Sequence, residues 1–241
     1  GADWIQGHFP QVKLIRSAEN LGFTAANNLG FRWAMDRGYD YVYLLNQDAW
    51  LAPGALETLV SAADANPEYA VLSPLQYQDG YKQLDRQFAK RCPVKAGHDV
   101  SDVHFIMAAH WLVRVEAVRK VGLFSEMFPL YGQDDDWCNR ARYHGWKIGV
   151  APRAKAVHDR AQRKEPKEKI IDRNYYVGSL VRLCDINRPL WERFLFVILF
   201  TLVKSVKYLS FRPLRQFVLI CKKLPELVSL RDINKKTYGS I

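Results

Sequence analysis

Three polar stretches of this 241-residue sequence carry side chains able to do chemistry. Asn46-Gln47-Asp48 follows the apolar run Tyr41–Leu45. In open α/β sheets ligands bind beyond the carboxyl ends of strands. A carboxylate there can hold magnesium or manganese, which takes its other ligands from phosphates. Asp48 could equally form a turn or cap the helix that opens near Pro53. In Tyr131-Gly132-Gln133-Asp134-Asp135-Asp136, three adjacent carboxylates repel and require a cation, basic partners or solvent. One that faces a cleft is suited to accept a proton, whereas an acidic helix N-terminus accounts for the run without chemistry. Pro152-Arg153-Ala154-Lys155-Ala156-Val157-His158 ends in a His that can ligate a metal as neutral imidazole. An ordinary surface or core His is the other reading.

The elements that must position these groups alternate. Val12–Ile15 reads as a short strand, Leu21–Asn28 as a turn-rich stretch and Leu29–Met35 as a helix stopped by Gly38. Tyr41–Leu45 suits a strand buried on both faces of a parallel sheet. Pro53 opens a helix with Leu56, Leu59, Val60 and Ala63 at helical spacing, and Pro67 ends it. Val71-Leu72 is a strand closed by Pro74, and 76–103 is polar and irregular, a hairpin or a loop. His104–Val113 reads as a strand, Val115–Val121 and Trp137–His144 as helices, and Lys147–Ala151 as a strand running into Pro152. The alternation predicts an α/β fold with a mostly parallel sheet. From Asp172 the pattern changes to long helices.

In this order the segments resemble family 2 glycosyltransferases, especially the rhamnosyltransferase-like members that build bacterial surface polysaccharides. Asn20-Leu21-Gly22-Phe23-Thr24-Ala25-Ala26-Asn27-Asn28-Leu29-Gly30 is similar to the family's N-x-G-F-x-x-A-x-N-x-G segment, and Leu44–Asp48 to its L-L-N-x-D metal motif. Val121–Glu126 followed by Tyr131–Asp136 and Arg140 is similar to V-G-x-F-D-E, then Y-G-E-D-x-D and a later Arg. Gly145-Trp146 through Pro152 to His158 matches the closing segment. The resemblance covers roughly residues 10–160. It implies the GT-A fold, a Rossmann-like mixed and mostly parallel sheet, for residues 1–160, with a helical extension over 161–241. It also implies Asn20, Gly22 and Asn27 on the nucleotide side of the cleft. Asn46 and Asp48 would face cation and pyrophosphate, His158 would be a further ligand to Mn2+ or Mg2+, and Asp134 the general base. Ala108, Ala109, His110 and Trp111 match the part that borders donor sugar and acceptor, so Trp111 is expected at the donor. The implied reaction is one inverting displacement that moves a sugar from a nucleotide-sugar donor to a hydroxyl of a glycan or lipid-linked acceptor.

Two departures stand out. Gln133 replaces the family's Glu, which keeps hydrogen bonding and loses a charge. The sequence also begins just after the family's first two strands, so weak or no turnover is expected of residues 1–241 alone. A non-catalytic relative acting as scaffold or partner subunit is the alternative these departures favour. A metal-dependent phosphohydrolase would want more clustered ligands than Asp48, Asp134 and His158.

The composition, 49% hydrophobic and 25% charged, is that of a globular chain. Gly1-Ala2-Asp3-Trp4 has neither the basic nor the apolar region of a signal peptide. Cys92, Cys138, Cys184 and Cys221 form no C-x-x-C pair, which disfavours a zinc site or disulfide scaffold and fits a reducing compartment. The net charge of +10 is uneven. Residues 1–159 hold 17 Lys/Arg against 18 Asp/Glu, and residues 160–241 hold 18 against 7. Phe194–Val203 has no charge but is shorter than the roughly 20 residues needed to span a bilayer. Three readings of this basic, apolar tail are open: an interfacial segment over 190–230 on an anionic membrane surface, packing on the catalytic domain or a second subunit as in a homodimer, and nucleic-acid binding. The last wants polar and stacking groups between the charges, so no nucleic acid is expected. The membrane reading places the protein in the cytoplasm, peripheral to the inner face of the plasma membrane.

Overall fold

The computed structural model describes residues 1–78, 80–94, 98–159 and 166–236. In chain order these form α1 (Ala2–His8), α2 (Gly22–Asp36), β1 (Tyr41–Leu45), β2 (Ala49–Leu51), α3 (Ala55–Ala65), β3 (Tyr69–Gln78), β4 (Gln83–Leu84), α4 (Arg86–Arg91), β5 (Ser101–Asp102), β6 (His110–Arg114), α5 (Val115–Val121), α6 (Gln133–Tyr143) and β7 (Lys147–His158). Four helices follow: α7 (Lys167–Cys184), α8 (Leu190–Tyr208), α9 (Arg212–Lys222) and α10 (Leu224–Asn234).

The sheet has the order β1-β6-β3-β7-β2, with β4 beside β3 and β5 beside β7. It is α/β and mixed, as expected, but among the described strands only β3 and β7 pair in parallel. The reason is β6. It pairs antiparallel with both β1 and β3, so these two run the same way without touching. The strands buried on both faces are β3, β6 and β7, not β1. Val71, Trp111 and Val113 enter one core with Phe31, Phe88 and Trp137, while Leu72 and Leu112 enter the other with Leu59 of α3. In β1 Leu44 is buried and Leu45 is exposed.

Several boundaries differ from the sequence expectations. Helix α2 begins at Gly22 because polar Thr24 and Asn28 share its buried face with Phe31 and Ala34, which hides the apolar period. Strands β3 and β7 run through Pro74 and Pro152. Their register jumps from Pro74↔Ala151 to Leu75↔Lys155, so Pro152 falls in a bulge where no ladder donor is needed. Helix α6 starts at Gln133, four residues earlier than expected, with the three aspartates in its first turn. Residues 104–109 are irregular, and Val12–Ile15 forms no strand, its Val12 and Ile15 being exposed without a ladder partner. The expected hairpin within 76–103 exists as β3 with β4, Tyr77↔Leu84 and Gln78↔Gln83.

The four C-terminal helices gather Tyr175, Leu183, Val197, Ile220 and Leu227 around Phe128, so they share a core with the segment before α6. Gly132 is a point of close approach between them. Its φ is +88°, and a Cβ there would lie 2.7 Å from Val177 Cγ1 and 2.9 Å from Phe128 Cδ1. Both the left-handed backbone and the space require glycine.

Candidate active site

The β2–β7 ladder pairs Ala49 with His158, which sets the preceding Asp48 beside that histidine. Asp48 Oδ1 lies 3.4 Å from His158 Nε2, the imidazole buried and the carboxylate partly open. The Asp159 amide donates to the Asp48 carbonyl at 2.8 Å and fixes the corner. Among the described residues no group of three or more His, Cys, Asp or Glu could hold a metal. A cation here would have one carboxylate and one imidazole and would complete its shell from a bound ligand. That donor pair suits manganese or magnesium on a diphosphate.

His110 supports this corner from beneath. It is fully buried, with Nε2 3.0 Å from the Val157 carbonyl and Nδ1 2.9 Å from the Tyr43 hydroxyl. A carbonyl only accepts, so Nε2 carries the proton and Tyr43 donates to Nδ1. Burial lowers the His110 pKa and keeps the ring neutral. The bonds tie β1, β6 and β7 together one residue before His158, whose ring stands edge-on at 6.5 Å.

Asn46 and Asp134 flank one short turn. The Asn46 amide donates to the Ala109 carbonyl at 3.1 Å, and the Ala108 amide donates to Asp134 Oδ2 at 3.4 Å. The three aspartates at the start of α6 have separate fates. Asp135 pairs with Arg91 at 2.6 Å, and that guanidinium lies 3.6 Å over the Phe105 ring. Asp136 pairs in the interior with Arg140 at 2.8 Å, and Arg140 also donates to the carbonyls of Val121 and Leu123. Among the described residues Asp134 receives only main-chain N–H groups, from Ala108 and, at 3.0 Å, from Asp135. Burial, and then the Asp135 charge, pushes its pKa up to about 7. A carboxyl that titrates there can take a proton at neutral pH. Gln133 is buried at its side, and its Oε1 has no hydrogen-bond partner among the described residues.

The other expected positions divide. Asn20 is exposed and its Oδ1 accepts from the Gly22 amide at 2.9 Å, while Asn27 donates to the Phe23 carbonyl at 2.8 Å. These three sit at the start of α2, which packs beneath 124–129 through Thr24 and Asn28. Trp111 is a correction. It is fully buried between Phe124 and Trp137, on the core face of β6, and cannot line a donor cleft. Alternation along the strand turns its neighbour His110 toward the site instead. Arg91, Tyr43 and Asn28 were missed. Arg91 sits in the stretch that reads as irregular and carries no motif. Asn28 occupies the second Asn of the quoted N-x-G-F-x-x-A-x-N pattern, a spacing that points to it rather than to Asn27.

Known proteins resemble this chain in sequence and in fold. The family model Glycosyl transferase family 2 matches residues 2–122, half of the chain. N-acetylglucosaminyl-diphospho-decaprenol L-rhamnosyltransferase of Mycobacterium tuberculosis (strain ATCC 25618 / H37Rv) is 26% identical over 186 residues, which are 64% of this chain and 60% of that protein. The dTDP-rhamnosyl transferase RfbF of Shigella flexneri is 21% identical over 230 residues, 92% of this chain and 68% of that one. The crystal structure of GalNAc-T7 with UDP, GalNAc and Mn2+ superimposes with a TM-score of 0.50 at 15% identity, over 65% of this chain and 34% of that one, a likeness of fold. The chain spans 60% of the length of its Mycobacterium relative. On the match to the family model, the chain belongs to glycosyl transferase family 2.

Proposed function

We propose that residues 1–160 form a transferase domain that moves a sugar, of the rhamnosyl kind its relatives' names indicate, from a nucleoside diphosphate to a hydroxyl of a glycan or lipid-linked acceptor in bacterial surface polysaccharide synthesis. The observation that carries this is Asp134: Arg91 and Arg140 neutralise its two acidic neighbours, while among the described residues it keeps only main-chain donors. The acceptor oxygen attacks the anomeric carbon from the face opposite the diphosphate, the bond to the diphosphate oxygen breaks with inversion, and Asp134 takes the hydroxyl proton. Asp48 and His158 would hold a divalent cation, whose charge stabilises the departing diphosphate. Asn46, Asn20, Gly22 and Asn27 remain the donor-side residues. A lipid-linked acceptor would bring the reaction to the inner face of the plasma membrane, with 190–230 as the docking segment.

The test is a thermal-shift titration with manganese and a panel of nucleoside diphosphates, paired with transfer from dTDP-rhamnose to a lipid-linked N-acetylglucosaminyl diphosphate. Asp48→Ala should abolish the manganese-dependent shift, and Asp134→Asn should cut transfer about a hundredfold or more while leaving that shift in place. Transfer unchanged in Asp134→Asn would falsify the assignment of the base. Gln133, buried where the family pattern has Glu, favours a second reading, a non-catalytic partner subunit. A full-length version that neither shifts nor transfers would select it.

A further inference from the structure

From Phe194 to Val203 helix α8 carries no charge on any side, yet only one side is covered. Val197 and Thr201 face α7 and α9 in the helical core. On the opposite side Trp191, Leu195, Leu199, Leu202 and Val206 recur at steps of three and four and are exposed. The stripe ends at the turn into α9, where Leu209 and Phe211 are 93% and 84% exposed. Leu209 holds a left-handed conformation, φ +46°, which disfavours a leucine and suits Gly or Asn. The folded chain gains no buried surface from that leucine in return. Contiguous bare apolar surface of this kind marks contact with something outside the chain.

The charges around it name the contact. Between Arg193 and Pro225 there are seven Lys/Arg and no Asp or Glu. Arg193, Arg212 and Lys223 pair with carboxylates from outside that stretch. Lys204, Lys207, Arg215 and Lys222 have no carboxylate within ion-pair distance among the described residues. No helix of the described residues is long and apolar enough to cross a membrane. A basic rim beside an apolar ridge fits a headgroup layer met in the plane of the helix.

We propose that α8 and the α8–α9 turn dock on an anionic phospholipid leaflet, with Leu209 and Phe211 inserted as a wedge and the exposed Lys207 and Arg215 on the headgroup phosphates. The proposal deepens the membrane part of the proposed function and rests on it. Its test uses no nucleotide, so its failure leaves the diphosphate-dependent thermal shift untouched.

The test is co-sedimentation of the full chain with phosphatidylcholine vesicles, with and without about a third phosphatidylglycerol, alongside Leu209→Asn/Phe211→Ser. Asn suits the left-handed backbone and both sites are exposed, so the variant should keep its circular dichroism and melting temperature. Wild type should bind anionic vesicles at least about tenfold better than neutral ones, and lose most of that preference in about 0.5 M NaCl. The double variant should lose about tenfold in binding. Equal binding to both vesicle types, or full binding by the variant, would overturn the proposal. So would a lipid-free dimer, seen by light scattering, that the double variant splits, because a second copy would then cover the ridge.

Discussion

The two halves of the molecule break opposite rules of burial. In the sheet half polar groups go inside: Asn28, His110, Asp136 and Arg140 are all buried, each bonded to a defined partner. In the helical half apolar groups stay outside, along α8 and at the turn after it. Interior polar groups cost free energy unless satisfied, so a fold that keeps them uses them to fix geometry. Exterior apolar groups gain nothing within the chain, so a fold that keeps them uses them beyond itself. The first half is built for position and the second for contact.

That contrast can be broken most directly at Arg140. Arg140→Ala leaves Asp136 charged in the interior and strands the Val121 and Leu123 carbonyls. A loss of about 3–5 kcal/mol is expected in urea unfolding. A loss below about 1 kcal/mol would show that buried polar contacts do not hold this half together. Next comes the seam between the halves. Gly132→Ala forces a Cβ against Val177 and Phe128 from a left-handed backbone, at about 2–4 kcal/mol. Hydrogen exchange should then quicken in α7 before it does in β3 or β6, and uniform quickening would mean the halves are one cooperative unit. Asp134→Asn is the smallest effect on stability and the sharpest on sign. The folded pKa is raised to about 7, so the unfolded chain releases this proton first and stability is lost as pH climbs from about 4 toward 7. The variant should therefore be about 1–3 kcal/mol more stable than wild type at pH 8, with the gain gone at pH 4. A gain at pH 4 as large as at pH 8 would contradict the ionisation account.

Much of the site was legible because its parts are short motifs in a fixed order. Asp48 and His158 are 110 positions apart, and only the resemblance put them together. The β2–β7 register then does so physically. What stayed hidden had physical causes. Residue type cannot say which face of β6 a tryptophan takes, and Trp111 took the core while His110 took the site. A polar Thr24 and Asn28 on the inner face disguised the first turns of α2. The prolines at 74 and 152 read as strand ends, because a bulge that removes the need for their missing N–H leaves no mark in composition. β6 reversed the expected parallel order because nothing in its five residues records which neighbours it will separate.

Asn28 has one more consequence. Its carboxamide donates to the Phe124 carbonyl and accepts from the Phe124 amide, both at 2.9 Å, as a neighbouring strand would. Helix α2 is thus fastened to the main chain at that position and not to whatever side chain stands there. Exchange of Phe124 for another apolar residue would therefore cost its packing against Phe31 and Trp111 and leave the alignment of α2 with the segment leading to Asp134 in place.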